Sequence, residues 1–531
     1  MALNLSRNTK VFVSSVNGTH ADGGSVIAVT ITTAGSGHAV GDRVTFGSAE
    51  TSQNGEGLRV IVSAVNGSGG VTEVHIPNNY RGKLFTAGED CTQADANSSS
   101  GSGTGLVLDV TSVTGTTTTD GGRIGTGLFK GNGENANTFR VGVLDGYSFS
   151  QGSDATDVVI NEAGATPNRG QKRFNDSLPP AEWSFSTYVR PFKHGTNSNG
   201  TATEHDMVEN ILWAAIAGKS IHGEGSGTSA SAIALDSTDA DVTFANSEHH
   251  ELLKLSIFFA LENTTYRLNE CQVNQAEIDF SIDGIATIAW SGNSTTIDQI
   301  TTAIDDPNTA YSSTSGDTGG AYSANSTITN AEGFNYVDAT GPDDADYLRN
   351  KLSTLTLETL AQGGGAGSGG LDAKTYDIAI TGGSITIANN ITYVTPETLG
   401  VIDKPIGSFS GARQISGSLT MYLNTTGSSG SGNGSNQLLS DLSAATDLVR
   451  NSFNMSLFMG GASSDTPVVE FDIPRAHFQV PAIEVADLIS LSVEFAAHGS
   501  DITAADEMTV KYKGLTTHSD SAYTGDLTLS T

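Results

Sequence analysis

Apolar residues along this chain fall mostly at every second position, in short runs fenced by Gly, Asn, Ser and Asp. That period places alternate side chains on opposite faces of a strand. Within the first 115 residues the runs repeat: Val26-Ile-Ala-Val-Thr-Ile31 returns as Val71-Thr-Glu-Val-His-Ile76, and Gly57-Leu-Arg-Val-Ile-Val62 returns as Gly105-Leu-Val-Leu-Asp-Val110. The offsets are 45 and 48, so three residues enter the second copy. The pattern predicts an N-terminal β module with an internal repeat over residues 1–130, ending in a Gly/Thr-rich linker at about 114–137.

A longer self-similarity covers the rest. Tyr147-Ser-Phe149 matches Ile385-Thr-Ile387 and Pro167 matches Pro405, both at offset 238; Trp183–Val189 matches Gly417–Leu423 at 234. An amphipathic helix follows in each copy, its stripe being Val208, Ile211 and Ala215 in the first and Leu442, Ala445 and Val449 in the second. Ser256–Phe259 then matches Ser456–Met459, and Ala276–Phe280 matches Ala476–Val480, at offset 200. The fall from 234 to 200 places a 34-residue insertion within Lys219–His250, a Gly/Ser/Thr-rich stretch read as a loop. Each copy runs strand, strand, helix, strand, strand. The divisions expected are 131–292 for copy one, 293–370 for a Gly/Ser/Thr-rich insert and linker, 371–515 for copy two, and 516–531 for a tail. Within the insert, Leu352 to Leu360 alternates like one more strand.

Composition narrows the function. With 58 acidic against 26 basic residues the formal charge is −32, which argues against a surface built to grip nucleic acid. It suits a self-repelling soluble particle, or a wall past which a polyanion slides. Two cysteines, Cys91 and Cys271, cannot frame a disulfide scaffold. MALNLSRNTK lacks the apolar core of a secretory leader, so synthesis in the cytoplasm is expected.

Catalytic and binding motifs are weak. Ala217-Gly-Lys-Ser220 follows a helix, whereas a phosphate loop precedes one, and Trp213 stands where that loop needs Gly. Ser247-Glu-His-His-Glu251 lacks the His-Glu-x-x-His spacing, and the acidic runs Asp236/Asp239/Asp241 and Asp343/Asp344/Asp346 match no calcium loop. Solvated loops explain all three. Trp183, Trp213 and Trp290 suit packing better than sugar stacking, and Cys271 reads as a small buried apolar residue. No catalytic, cofactor or metal residue is proposed.

Three segments resemble the tail tube (major tail) proteins of tailed bacteriophages: Val143–Ser150, Pro180–Val189 and Ala286–Gly292, with Gly411–Leu423 as the second copy's counterpart. The opening MALNLSRNTKVFVS resembles phage virion proteins. The resemblance implies a mainly β fold: two tandem tube-like β-sandwich or half-barrel domains, each with one flanking helix, beside the N-terminal module. It also implies a non-enzymatic virion protein whose sheets join into rings, the rings stacking into the channel for DNA ejection. Because such rings are six-fold and this chain carries two domains, a trimeric ring with pseudo-six-fold symmetry is expected. Its partners are then other copies of itself and baseplate, terminator or sheath proteins, with genomic DNA passing unbound and no membrane. A baseplate hub or tube initiator shares these features; a secreted glycan-binding β protein is the alternative of another class. Alternation in Glu277-Ile-Asp-Phe-Ser-Ile-Asp283 puts Glu277, Asp279 and Asp283 on one face, which makes them the candidate channel residues.

Overall fold

The computed structural model describes residues 9–518, except 15–25, 47–55, 77–80, 114–137, 160–169, 195–204, 219–232, 245–251, 301–346, 360–373, 396–404, 428–431, 444–451 and a few shorter breaks. The described chain is mainly β. Strands such as Ala181–Tyr188 (AEWSFSTY) bury every second residue, as their sequence alternation demands. Most of them join one 19-stranded sheet with several branched pairings. Two α-helices appear among the described residues, Asn210–Ala217 and Ser435–Ser443.

The same order of antiparallel partners occurs in each half of the large sheet. In the first half Ser148–Ser150 pairs with Ala181–Tyr188, which pairs with Thr287–Ser294. That strand pairs with the second part of Thr264–Asp279, whose first part pairs with Leu255–Leu261. In the second half Ile380–Ala388 pairs with Gln414–Tyr422, then Ser490–Ala497, then Val468–Phe478, then Phe453–Met459. Small details recur as well: Ser148 Oγ lies 2.9 Å from Ser184 Oγ, and Ser384 Oγ lies 3.2 Å from Ser418 Oγ. The halves are sewn together edge to edge, Gln275–Asp279 against Ser384–Ala388.

Several boundaries differ from the sequence expectation. Lys10–Ser14 lies not in the N-terminal module but in the large sheet, between Leu255–Leu261 and Thr138–Val141. Its reason is hydrophobic: Val11 and Val13 are wholly buried in the main core, apart from the module's own core. Thr354–Thr359 holds the matching place in the second half, between Phe453–Met459 and Thr375–Tyr376. The module, Val26 to Val113, is therefore strung between two strands that pair with each other, just as 360–373 is in the second half. Past residue 292 the first half continues: Thr287–Ser294 runs through it, and Thr296–Ile300 pairs with Thr265–Asn269.

The stretch 219–250, read as a loop, contains strands Ile233–Leu235 and Ala240–Thr243, the latter paired with Thr509–Tyr512. Beyond 515, Thr517–His518 runs parallel to Lys193–His194. The second helix begins earlier than its predicted stripe. Leu438 and Leu442, one turn apart, carry its buried face, while Ala445 and Val449 lie outside the described residues.

The module has two sheets, one centred on the pair Val26–Ser36 and Thr104–Val113, the other on Glu56–Val65 and Val71–His75. Val29 faces Val110 in one, and Val74 faces Val62 in the other, the positions that the sequence repeat equates. The turns match too. Ala39 N–H donates to Asp42 Oδ2 and Thr86 N–H to Glu89 Oε2, each at 3.0 Å, and Gly41 and Gly88 take positive φ beside them.

Candidate assembly edges and channel face

Eight strands lie side by side from Ser148–Ser150 through the junction to Val468–Phe478. One face is aliphatic and aromatic and packs into the core, where Trp183, Trp213 and Trp290 are all buried. Trp213 and Trp290 meet edge to face at 5.2 Å, and Trp290 donates its indole N–H to Thr187. The tryptophans are therefore packing residues. Cys91 and Cys271 are buried free thiols, and burial pushes the Cys271 thiol well up, which leaves it unreactive.

The other face is built of small hydroxyl residues and carboxylates. No Lys or Arg occurs in Ala181–Tyr188, Gln275–Asp279, Thr287–Ser294, Ile380–Ala388, Gln414–Tyr422 or Ser490–Ala497. Glu277 and Asp279 sit on this face, exposed, in mid-sheet. Glu277 stands between Ala289 and Thr386, and Asp279 between Thr287 and Ser384. Asp283 does not join them. The strand ends at Asp279, and the chain bends through Ser281 to Gly284, whose φ of +117° is open to glycine, so Asp283 is in the exposed turn. Glu182 and Glu494 share the exposed, core-opposed positions of their strands, and the alternation of Ala181–Tyr188 marks Glu182 in the sequence as well.

The eight-strand face has two ends. Among the described residues Ser148–Ser150 pairs only with Ala181–Tyr188, and Ala482–Glu484, which follows Val468–Phe478, pairs only with Ser490–Ala497. Open edges of this kind drive self-association unless blocked. Neither edge is blocked by Lys or Pro within the strand itself.

The remaining candidate motifs do not converge. Gly218, in the left-handed conformation at +86°, ends the first helix, so Ala217-Gly218 is a helix stop. Asp236, Asp343, Asp344, Asp346 and Ser247–Glu251 lie outside the described residues. Among the described residues, no three His, Cys, Asp or Glu side chains are grouped to hold a metal.

Two open edges among the described strands of one continuous sheet, with an acidic and hydroxyl face that carries no Lys or Arg on six of its eight strands, suit a protein that assembles with copies of itself. The chain is 35% identical over 380 residues to the tail tube protein pb6 of Escherichia phage T5, a match covering 70% of this chain and 70% of that one. It belongs to the phage tail tube proteins, and is a structural subunit of the virion tail. No protein-family model matches it.

Proposed function

We propose that three copies of this chain close a ring with pseudo-six-fold symmetry, and that rings stack into a tube through which the genome passes. The observation that carries this reading is the repeated order of strand partners in the two halves, joined edge to edge by Gln275–Asp279 and Ser384–Ala388. Each half is then one tandem tube domain with its own flanking helix. Repeating the same junction between chains uses unlike surfaces, and an interface of unlike surfaces must either close or spiral. Closure after three chains gives six domains.

The hydroxyl and carboxylate face lines the channel in this reading. Glu277 and Asp279 repel phosphates there, and the absence of Lys and Arg from six of its eight strands leaves the duplex few cations to bind. The Val26–Val113 module, strung between two paired strands, sits on the outside. The tube meets the other proteins of the tail at its ends, and the chain is made in the host cytoplasm before it assembles.

Electron microscopy of assembled tubes tests this reading: class averages are expected to show three chains and six similar wall densities per ring. Six full chains per ring would mean that half of each chain lies outside the wall.

A further inference from the structure

The in-chain junction and the two open edges are related by the fold's own repetition. Within the first half, a bulge at Glu270 and a second one between Val273 and Gln275 carry Thr264–Asp279 to its pairing with Ser384–Ala388. In the second half the corresponding bulges fall between Ile473 and Ala476, and between Phe478 and Ala482. Matching the bulges places Val480–Glu484 where Gln275–Asp279 stands, with Ile483 for Ile278 and Val485 for Phe280. The burial is opposite: Ile278 and Phe280 are 0% and 3% exposed under the second half, whereas Ile483 and Val485 are 53% and 83% exposed. These apolar side chains are bare because no described residue covers the second half's edge. At the other end, the Ser148–Ser184 hydroxyl pair corresponds to Ser384–Ser418, so Ser148–Ser150 stands where Ser384–Thr386 does.

We propose, resting on the ring reading above, that Ala482–Glu484 of one chain pairs with Ser148–Ser150 of a second copy, Ile483 opposite Phe149, in the register of Ile278 opposite Ile385. This chain-to-chain joint lacks the clasp that locks the in-chain one. The clasp consists of Ala240–Thr243 paired with Thr509–Tyr512, Phe244 under the Arg413 guanidinium at 5.0 Å, and Arg413 paired with Glu507 at 2.6 Å. Its first strand comes from the insertion after the first helix, for which the shorter second half has no counterpart: 444–452 alone separates Ser443 from Phe453. The ring therefore alternates clasped and unclasped joints, and it opens between chains before it opens within one.

Cysteine pairs test the assignment in the full chain. Phe280 N–H donates to Gly383 at 3.1 Å, so the neighbouring pair Asp279 and Ser384 is non-hydrogen-bonded, with the closer Cα separation that a cross-strand disulfide needs. The double variant Asp279→Cys with Ser384→Cys is the in-chain control. Glu484→Cys with Ser148→Cys, oxidised after assembly with diamide, is expected to give covalent dimers and trimers and nothing larger on a non-reducing gel. Assembled rings with a closed control but no chain-to-chain disulfide would refute the edge assignment and leave the tube reading intact. Ladders beyond three chains would uphold the edge and refute the trimer. Should the cysteine variant not assemble, Ile483→Arg decides: at an exposed position it is expected to leave a folded monomer, by circular dichroism, that forms no rings, and rings from it would overturn the proposal. The clasp is read separately, because urea is expected to release folded single chains before either half unfolds, and concerted loss of rings and fold would contradict the alternation.

Discussion

Trp213 donates its indole N–H to the Tyr512 hydroxyl at 2.8 Å, across 299 residues of chain, and Tyr512 in turn donates to Glu209 Oε1 at 2.8 Å. The first helix of one half is thus tied to Thr509–Lys513, the last strand of the large sheet, in the other. Tyr512, Trp213 and Glu209 are all fully buried. Burial, and after it the nearby Glu209 charge, pushes the Tyr512 hydroxyl well above the usual phenol range, so it stays protonated and remains a donor. Tyr512→Phe keeps the ring but removes both bonds. A loss of about 2–3 kcal/mol is expected, since a buried carboxylate loses a donor and a buried indole its acceptor. Urea denaturation followed by tryptophan fluorescence measures it; an unchanged midpoint would mean that the network does not hold the halves together.

Asp441 ties the second helix to its sheet. It accepts from Lys374 Nζ at 2.8 and 2.9 Å, from Tyr376 at 2.6 Å and from Gln437 at 2.9 Å. Burial raises its carboxyl, but the bonds from Lys374, Tyr376 and Gln437 outweigh that and hold it below the usual aspartate value. A carboxyl depressed in the folded state stabilises fully above its unfolded value, near ~3.9. That contribution disappears as pH falls through the folded value. Asp441→Asn is therefore expected to cost about 1–3 kcal/mol at pH 7. At an acid pH below the folded carboxyl's own lowered value the variant and the parent should converge, because protonation has by then removed the same charge. Urea midpoints at the two pH values check this, and an equal gap at both would show that the carboxylate charge is not responsible.

Much of this architecture is legible in the sequence, because alternation is local. Trp183 and Phe185 turn inward and Glu182 outward for no reason beyond the period of two. What the sequence hides is register. Aligned by residue type, Ala476–Val480 stands for Ala276–Phe280, but the longer turn before Val468 and the displaced bulges shift the equivalence to Pro481–Val485. Bulges leave little trace in composition, so Glu484 rather than Gln479 emerges as the counterpart of Asp279 only from the pairing. Lys10–Ser14 is hidden for another reason. A five-residue strand carries no mark of whether it pairs with its neighbours or with Leu255–Leu261, far along the chain.

That strand changes how the module must be removed. Replacing residues 20–130 by a short Gly/Ser linker keeps Lys10–Ser14 and Thr138–Val141 able to pair, and tubes are expected to form with a thinner outer wall. Deleting 1–130 also takes Val11 and Val13 out of the main core, and poorly folded, assembly-defective protein is expected. Micrographs of the two variants side by side give the answer. Failure of the first variant to form rings while folded would make the module part of the assembly machinery.

The channel assignment turns on Glu277 and Asp279. Both are exposed on a strand already paired on both sides, so Glu277→Lys with Asp279→Lys costs the fold little, within the ~1 kcal/mol span of strand propensities. Screening confines the effect of the new cations to about 8 Å from the wall, close enough to meet a duplex that fills the channel. Each ring would then carry lysines where it carried carboxylates, and phosphates would bind where they had been repelled. Tubes are expected to assemble normally and genome ejection to slow several-fold or stall, with added salt restoring part of the rate. Asp283→Lys is the control, because Asp283 stands in the exposed turn beyond the strand and its reversal is expected to leave the rate unchanged. Ejection from purified virions, timed by a DNA-binding dye, reads all three. If the double reversal ejects at the parental rate, or if Asp283→Lys slows ejection as much, the acidic face of Gln275–Asp279 does not line the channel.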